Sequence, residues 1–168
     1  MEQPIALGHP RTGPLQGIRV ADFSAIFSGP IAGALLADQG ADVIKIEAFG
    51  GDLMRGGFPQ SGGMASAFTS MNRNKRGLAV DLQKDEGKAI ARQLILSADV
   101  VLENFRPGVM DRLGLGYDTF RETHPKLVYA SINGVGSSGP YANRRVYDAV
   151  IQAISGFTAL RVDGKPEM

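Results

Sequence analysis

The 168-residue sequence predicts an α/β fold: a mostly parallel, Rossmann-like sheet with helices on both faces. Three observations carry this. Short apolar strand-like runs alternate with helix-like segments along the chain. The first two runs are joined by a single short helix, which makes them parallel neighbours with a right-handed crossover. Glycine-rich or basic loops recur after the strand-like runs, where ligands bind in open parallel sheets.

Each element has its own justification. Gly17–Phe23 reads as a buried strand. Residues 30–39 form an apolar, small-residue helix, with Pro30 suited to its start and Gly40 to its end. Ala41–Glu47 is the second strand, and a glycine-rich loop runs from Phe49 to about Ser61. Ala65–Met71 suits a short helix and Leu78–Leu82 a third strand. Between Lys84 and Ser97, Ile90, Leu94 and Ile95 share one helical face. Ala98–Glu103 is the fourth strand; Arg106-Pro107-Gly108 then turns into a short helix through Leu113. Tyr117–Thr123 is another, stopped by Pro125. Leu127–Ile132 is the fifth strand, followed by a second glycine loop and a helix over Asp148–Ile154.

Composition narrows the function. Lys and Arg number 18 against 17 Asp and Glu, a net charge of +1 without the broad positive field of a nucleic-acid binder. The absence of cysteine excludes disulfides, thiolate catalysis and Cys-type zinc sites. Residues 1–14 read as a flexible polar tail, lacking the basic start and apolar run of a signal peptide. No stretch is long and apolar enough to span a membrane, so a cytoplasmic protein is expected.

Four segments could carry chemistry. The turn after the first strand reads Ser28-Gly29-Pro30-Ile31-Ala32-Gly33 and lacks the G-x-G-x-x-G of a dinucleotide site. Pro30 also removes an N–H that a pyrophosphate would use. Glu47 stands where such a fold keeps its ribose-binding acid, or else faces solvent. Arg73, Lys75 and Arg76 could meet phosphates, although a short basic loop is ordinarily just solvated. At the end of the fourth strand Asn104 offers an amide, Phe105 a stacking surface and Arg106 a charge; alternatively this is a turn with a buried Phe. The glycine loop Gly134–Gly139 could supply N–H donors to an oxyanion, whereas Asp148 also suits a helix N-cap. His9 and His124 are too far apart in sequence to suggest a metal or catalytic pair.

Several of these runs together resemble the N-terminal part of class III coenzyme A transferases, the formyl-CoA transferase-like or CaiB/BaiF family. They are Pro14–Ser24 with Ser28-Gly29-Pro30, Gly40–Glu47, Asn72–Leu82 and, most specific, Ala98–Gly114. The resemblance spans roughly Pro14–Gly156. It implies an enzyme that moves CoA from an acyl-CoA to a carboxylic acid through an aspartyl anhydride and an aspartyl-CoA thioester. CoA enters as a substrate, no cofactor is permanently bound, and the family forms interlocked homodimers. Carried over by motif, CoA should contact Phe27, Ser28, Val80, Asp81, Leu82, Gln83, Asn104, Phe105 and Arg106. Arg112 and Arg145 should lie near its phosphates, and Val146, Tyr147 and Asp148 should line the thioester end. Where many members have Arg in the first loop this chain has Ala25, and Ala48-Phe49 replace basic residues found in some. A racemase branch carries His before the aspartate matching Asp148; Tyr147 there favours transfer. The family nucleophile is expected beyond Met168, and the small domain and C-terminal return are missing. Residues 15–168 are therefore expected to be the N-terminal portion of the large CoA-binding domain, a fragment incomplete relative to the family and inactive alone. A non-catalytic CoA- or nucleotide-binding module is the alternative.

Overall fold

The computed structural model describes residues 12–57, 59–142, 144 and 146–157. Its centre is a five-stranded, wholly parallel sheet: β1 (Arg19–Asp22), β2 (Asp42–Glu47), β5 (Arg76–Ala79), β6 (Val100–Glu103) and β7 (Val128–Ser131), in the order β5-β2-β1-β6-β7. A small antiparallel hairpin, β3 (Gln60–Ser61) with β4 (Met64–Ala65), stands apart from it. The helices are α1 (Ser28–Asp38), α2 (Ser66–Asn72), α3 (Asp85–Leu96), α4 (Val109–Arg112), α5 (Tyr117–Phe120) and α6 (Asp148–Ile154).

Strand alternation sorts the apolar side chains into two cores. Val20, Val43 and Leu102 face one side, where they meet Ala37 of α1 and Ala41. Ala21, Ile46 and Val101 face the other, against Ala91 and Ile95 of α3 and Met110, Leu115 and Phe120 beyond it. Helices thus cover both faces, as the sequence pattern predicts.

The α1 helix begins two residues before Pro30, which sits in the first turn where its missing N–H costs nothing. It ends in a Schellman closure. Gly40, at φ 98°, donates its N–H to the Ala37 carbonyl, and the Ala41 N–H reaches the Leu36 carbonyl. Thr12–Pro14, expected in the tail, dock on this end. The Leu15 N–H donates to the Gln39 carbonyl at 3.0 Å, and a Cβ on Gly13 would stand 2.3 Å from that same oxygen. Residues 1–11 lie outside the described residues.

The third sheet strand is displaced from the expected Leu78–Leu82. It begins at Arg76, whose guanidinium grips the Asp42 carboxylate as Ile44 pairs with Arg76 in register. Beyond Val80 the Asp81 carboxylate accepts the Gln83 N–H and turns the chain towards α3. The early acids Asp85 and Glu86 of α3 complement its dipole.

Small residues bring α1 close to the sheet. A Cβ at Gly33 would lie 2.7 Å from Asp22 Oδ2 and 3.0 Å from Lys75 Nζ, both buried. Gly33→Ala should therefore lower stability by about 1–3 kcal/mol through overpacking, despite alanine's better helix propensity. Urea unfolding should show a lower midpoint at an unchanged slope.

Candidate functional site at the carboxyl edge of the sheet

The chain leaves β1 towards β2 and leaves β6 towards β7, on the opposite side of the sheet. Their carboxyl ends therefore frame the topological switch point, where open α/β sheets bind ligands. The two loops there are tied together. Asn104 Oδ1 accepts the Ala25 N–H and its Nδ2 donates to the Ala25 carbonyl, both at 2.8 Å. The amide that the sequence offers to a ligand is thus spent on the neighbouring loop.

Buried charge lies beneath the β1 loop. Asp22 accepts from the N–H and hydroxyl of Ser24 and pairs with Lys75 Nζ at 2.8 Å. Lys75 also donates to the Pro30 carbonyl and Asn72 Oδ1. Burial pushes the Lys75 ammonium below its ordinary pKa, and the Asp22 carboxylate pulls against that shift. Lys45 reaches Asp52 Oδ2 at 3.0 Å and the Ser24 carbonyl at 2.8 Å. Asp52 accepts further N–H bonds from Ile26 and Met54. Nearby, Glu47 is held by Arg55 through two bonds of 2.7 and 2.8 Å and by the Asp52 N–H, while Arg55 lies 4.1 Å over the Phe68 ring. Glu47 is neither solvated nor free for a ribose.

The cations of the basic run at 73–76 are each paired with a carboxylate, Arg73 and Arg76 at the exposed surface and Lys75 in the interior. Arg73 pairs with Asp38, Lys75 with Asp22 and Arg76 with Asp42. Arg106 and Arg112, in contrast, are exposed and form no ion pair among the described residues. Arg112 folds back over Gly108, where a Cβ would lie 3.2 Å from its Nη1.

The predicted contact residues fall into three groups. Phe27 and Ser28 head α1 beside Asn104, Phe105 and Arg106, and the Asn104–Ala25 bonds bring these groups together. Phe105 is half-buried against the core, and its N–H donates to the buried Glu103. Val80, Asp81, Leu82 and Gln83 leave β5, on the outer side of β2. Val80 is buried, Asp81 and Leu82 are half-buried with Leu82 packed on the core, and Gln83 is the exposed one of the four. Val146 packs on Gly134, Tyr147 is 73% exposed, and Arg145 lies outside the described residues. Tyr147, not Asp148, is the N-cap of α6; the Asp148 carboxylate accepts from Gln152. His124 is structural, its Nε2 lying 2.8 Å from the Ala98 carbonyl, and His9 is outside the described residues.

Lys45, Asp52 and Arg55 were not singled out from sequence. The available signal was Lys45 itself, a lysine in the middle of a buried strand that needs a buried partner. A separate groove of about 350 Å³ runs between α1 and α2, lined by Phe27, Ile31, Leu35 and Met71, with Arg73 at its rim. Arg73 is committed to Asp38, so this groove carries no free charge for chemistry.

The family model for CoA-transferase family III matches residues 15–168. The chain belongs to this family. It is 43% identical over 166 residues to a succinate–glutarate CoA-transferase of Agrobacterium fabrum, covering 93% of this chain and 42% of that protein. It is 44% identical over 146 residues to a formyl-CoA:oxalate CoA-transferase of Streptomyces avermitilis, covering 86% and 36%. A solved CaiB/BaiF family protein from Brucella suis superposes with a TM-score of 0.88 at 40% identity, covering 94% of this chain and 43% of that one. This CoA-transferase family III chain therefore spans well under half the length of these relatives.

This edge of the sheet is held in part by two carboxylates, Glu47 and Asp52, that burial alone would push up in pKa. For Glu47, the Arg55 guanidinium and the Asp52 N–H outweigh that effect and hold it low; for Asp52, the Met54 N–H and Lys45 do the same. Both groups thus contribute stability that is complete above their unfolded pKa and is lost as pH falls through the lower folded value. Urea midpoints should drop between pH ~5 and ~3. Glu47→Gln should be less stable at neutral pH and flatter across that window.

Proposed function

We propose that this chain provides the CoA-binding edge of an enzyme that moves coenzyme A from an acyl-CoA to a carboxylic acid. The observation that carries this is the pair of braced loops at the sheet's topological switch point. They are locked by Asn104 and Ala25; Arg106 follows Asn104, Arg112 stands in the next helix, and both are exposed with no ion pair among the described residues. A guanidinium without an ion pair beside rigidly braced loops suits a phosphorylated ligand. CoA supplies phosphates for the cations.

In the proposed reaction an aspartate attacks the thioester carbonyl, giving an acyl anhydride and CoA thiolate. The thiolate attacks the aspartyl carbonyl and releases the first acid, leaving an aspartyl-CoA thioester. The acceptor acid attacks that thioester to form a second anhydride. CoA thiolate then returns to the acceptor's carbonyl, completing transfer and freeing the aspartate. The carboxylates at the described edge are poor nucleophiles for this. Asp22, Asp52 and Glu47 are bound to cations, and Glu103 is buried on the Phe105 N–H. Asp148 is exposed, and among the described residues its carboxylate accepts from Gln152. The 168 residues alone should accordingly bind CoA without turning it over. Tyr147, where the racemase branch carries His, favours transfer over racemisation. The interlocked homodimer and the cytoplasmic setting are part of the same proposal.

Isothermal titration of the chain with CoA, run beside an acyl-CoA transfer assay, tests this. Saturable binding without turnover is expected. A charge-assisted hydrogen bond is worth about 1.5–3 kcal/mol, so Arg112→Ala should weaken CoA by about ten- to a hundredfold. A folded chain that does not bind CoA would overturn the proposal. Turnover would instead identify a nucleophile within the chain, with Asp148 the first to replace.

A further inference from the structure

The loop after β1 is restrained well beyond what a connection needs. Every backbone N–H from Ser24 to Phe27 is engaged. Ser24 donates to Asp22, Ala25 to Asn104, Ile26 to both oxygens of Asp52 (3.3 and 3.2 Å), and Phe27 to the Ala25 carbonyl. The carbonyls of Ser24 and Ala25 are also taken, by Lys45 and Asn104. At the middle of this loop Ile26 stands at φ 70°. A β-branched residue is strained there and persists only where its surroundings over-determine the backbone, a pattern that clusters at ligand clamps. The group holding Ile26 is Asp52, itself 7% exposed and paired with Lys45, which is 2% exposed. Neither side chain reaches the surface to touch a ligand. The next residues are Phe27, 57% exposed, and Ser28 at the head of α1.

We propose that Lys45 and Asp52 are positioning residues of the CoA site: their buried pair fixes Ile26 in its left-handed conformation and thereby sets Phe27 and Ser28 against the ligand. The inference rests on the CoA reading above and extends it to two residues that have no contact with CoA themselves. The pair acts by preorganisation. A loop already in its bound shape loses no freedom when the ligand arrives.

The test uses the full chain, CoA as the probe, and two ways of removing the pair. Asp52→Ala leaves Lys45 buried without its carboxylate and risks unfolding. The double change Lys45→Met with Asp52→Ala removes both charges together and avoids an orphan. In whichever variants fold, hydrogen exchange of the Ile26 amide should speed up by about tenfold or more while the amides of β1 and β6 keep their protection. CoA affinity should fall by about tenfold. Adding Ile26→Gly to the double variant should recover part of that affinity, because glycine adopts a positive φ without strain. A merely structural pair would behave differently: exchange would rise uniformly across the sheet, and the added glycine would leave affinity unchanged or lower. That result overturns the proposal, as does unchanged affinity without the pair. Absence of CoA binding by the folded wild type would instead overturn the CoA reading, and with it the assignment of these residues to that site.

Discussion

Burying four charged groups beneath one loop is the constraint from which much of this structure follows. Asp22 and Ser24 are closed off from solvent, and Lys75, Lys45 and Asp52 nearly so. An ion pair taken out of water recovers its desolvation cost only when the remaining lone pairs and protons are also satisfied. That condition is met: among the described residues no buried side-chain polar atom lacks a partner. Meeting it dictates distant features. Lys75 can reach Asp22 only because Gly33 leaves α1 without a side chain at that point, and Ser24 can tuck under the helix only because Gly29 does the same. Asn72, at the end of α2, is drawn in as a third acceptor for Lys75. The small-residue composition of α1 is thus set by polar groups as much as by apolar packing.

The same chain divides its cations between the two ends of the sheet. At the amino edge Arg19 and Arg76 both meet Asp42, and Asp99 accepts the Arg19 N–H. These contacts tie the starts of four strands and are solvent-exposed, so each adds little stability; their effect is on register. At the carboxyl edge the buried lysines are consumed by the loop network, whereas Arg106 and Arg112 are left over. A chain of net charge +1 thus carries beside its switch point two exposed guanidinium groups that form no ion pair among the described residues. Two such groups are a local charge, not the broad positive field expected of a nucleic-acid binder.

Much of this was legible in the sequence, for reasons that differ by element. Runs such as Asp42–Glu47 and Val100–Glu103 are rich in β-branched residues and bounded by turns, so their existence and order were readable. The α6 helix falls on the residues expected, Asp148–Ile154. The third sheet strand slipped because its start is fixed by a tertiary ion pair, Arg76 to Asp42, and no local propensity encodes that partner. The two-residue strands of the hairpin carry no periodicity to detect. At the candidate site the sequence marked loops by residue type, and residue type does not encode long-range partners. Asn104 and Arg73 look like ligand contacts by residue type alone; their real partners lie 79 and 35 positions away in sequence. Only the folded arrangement shows that the first braces a loop, that the second pins a helix end, and that Lys45 and Asp52 pair beneath the β1 loop.

The use made of Glu47 and Pro30 sets this sheet apart from a dinucleotide-binding fold of the same strand order. In such a fold the carboxylate at the end of the second strand stays free to accept a ribose hydroxyl, and the first helix offers its early N–H groups to a pyrophosphate. Here Arg55 occupies both oxygens of Glu47, and the Asp52 N–H takes a further share of one. That commitment is what brings Asp52 back under the β1 loop, where it holds Ile26. The third residue of α1 is Pro30, which has no N–H to give. The acid that would have bound a ribose instead anchors the segment that shapes the loop. The fold class is shared, but the binding chemistry is set by where one carboxylate is spent.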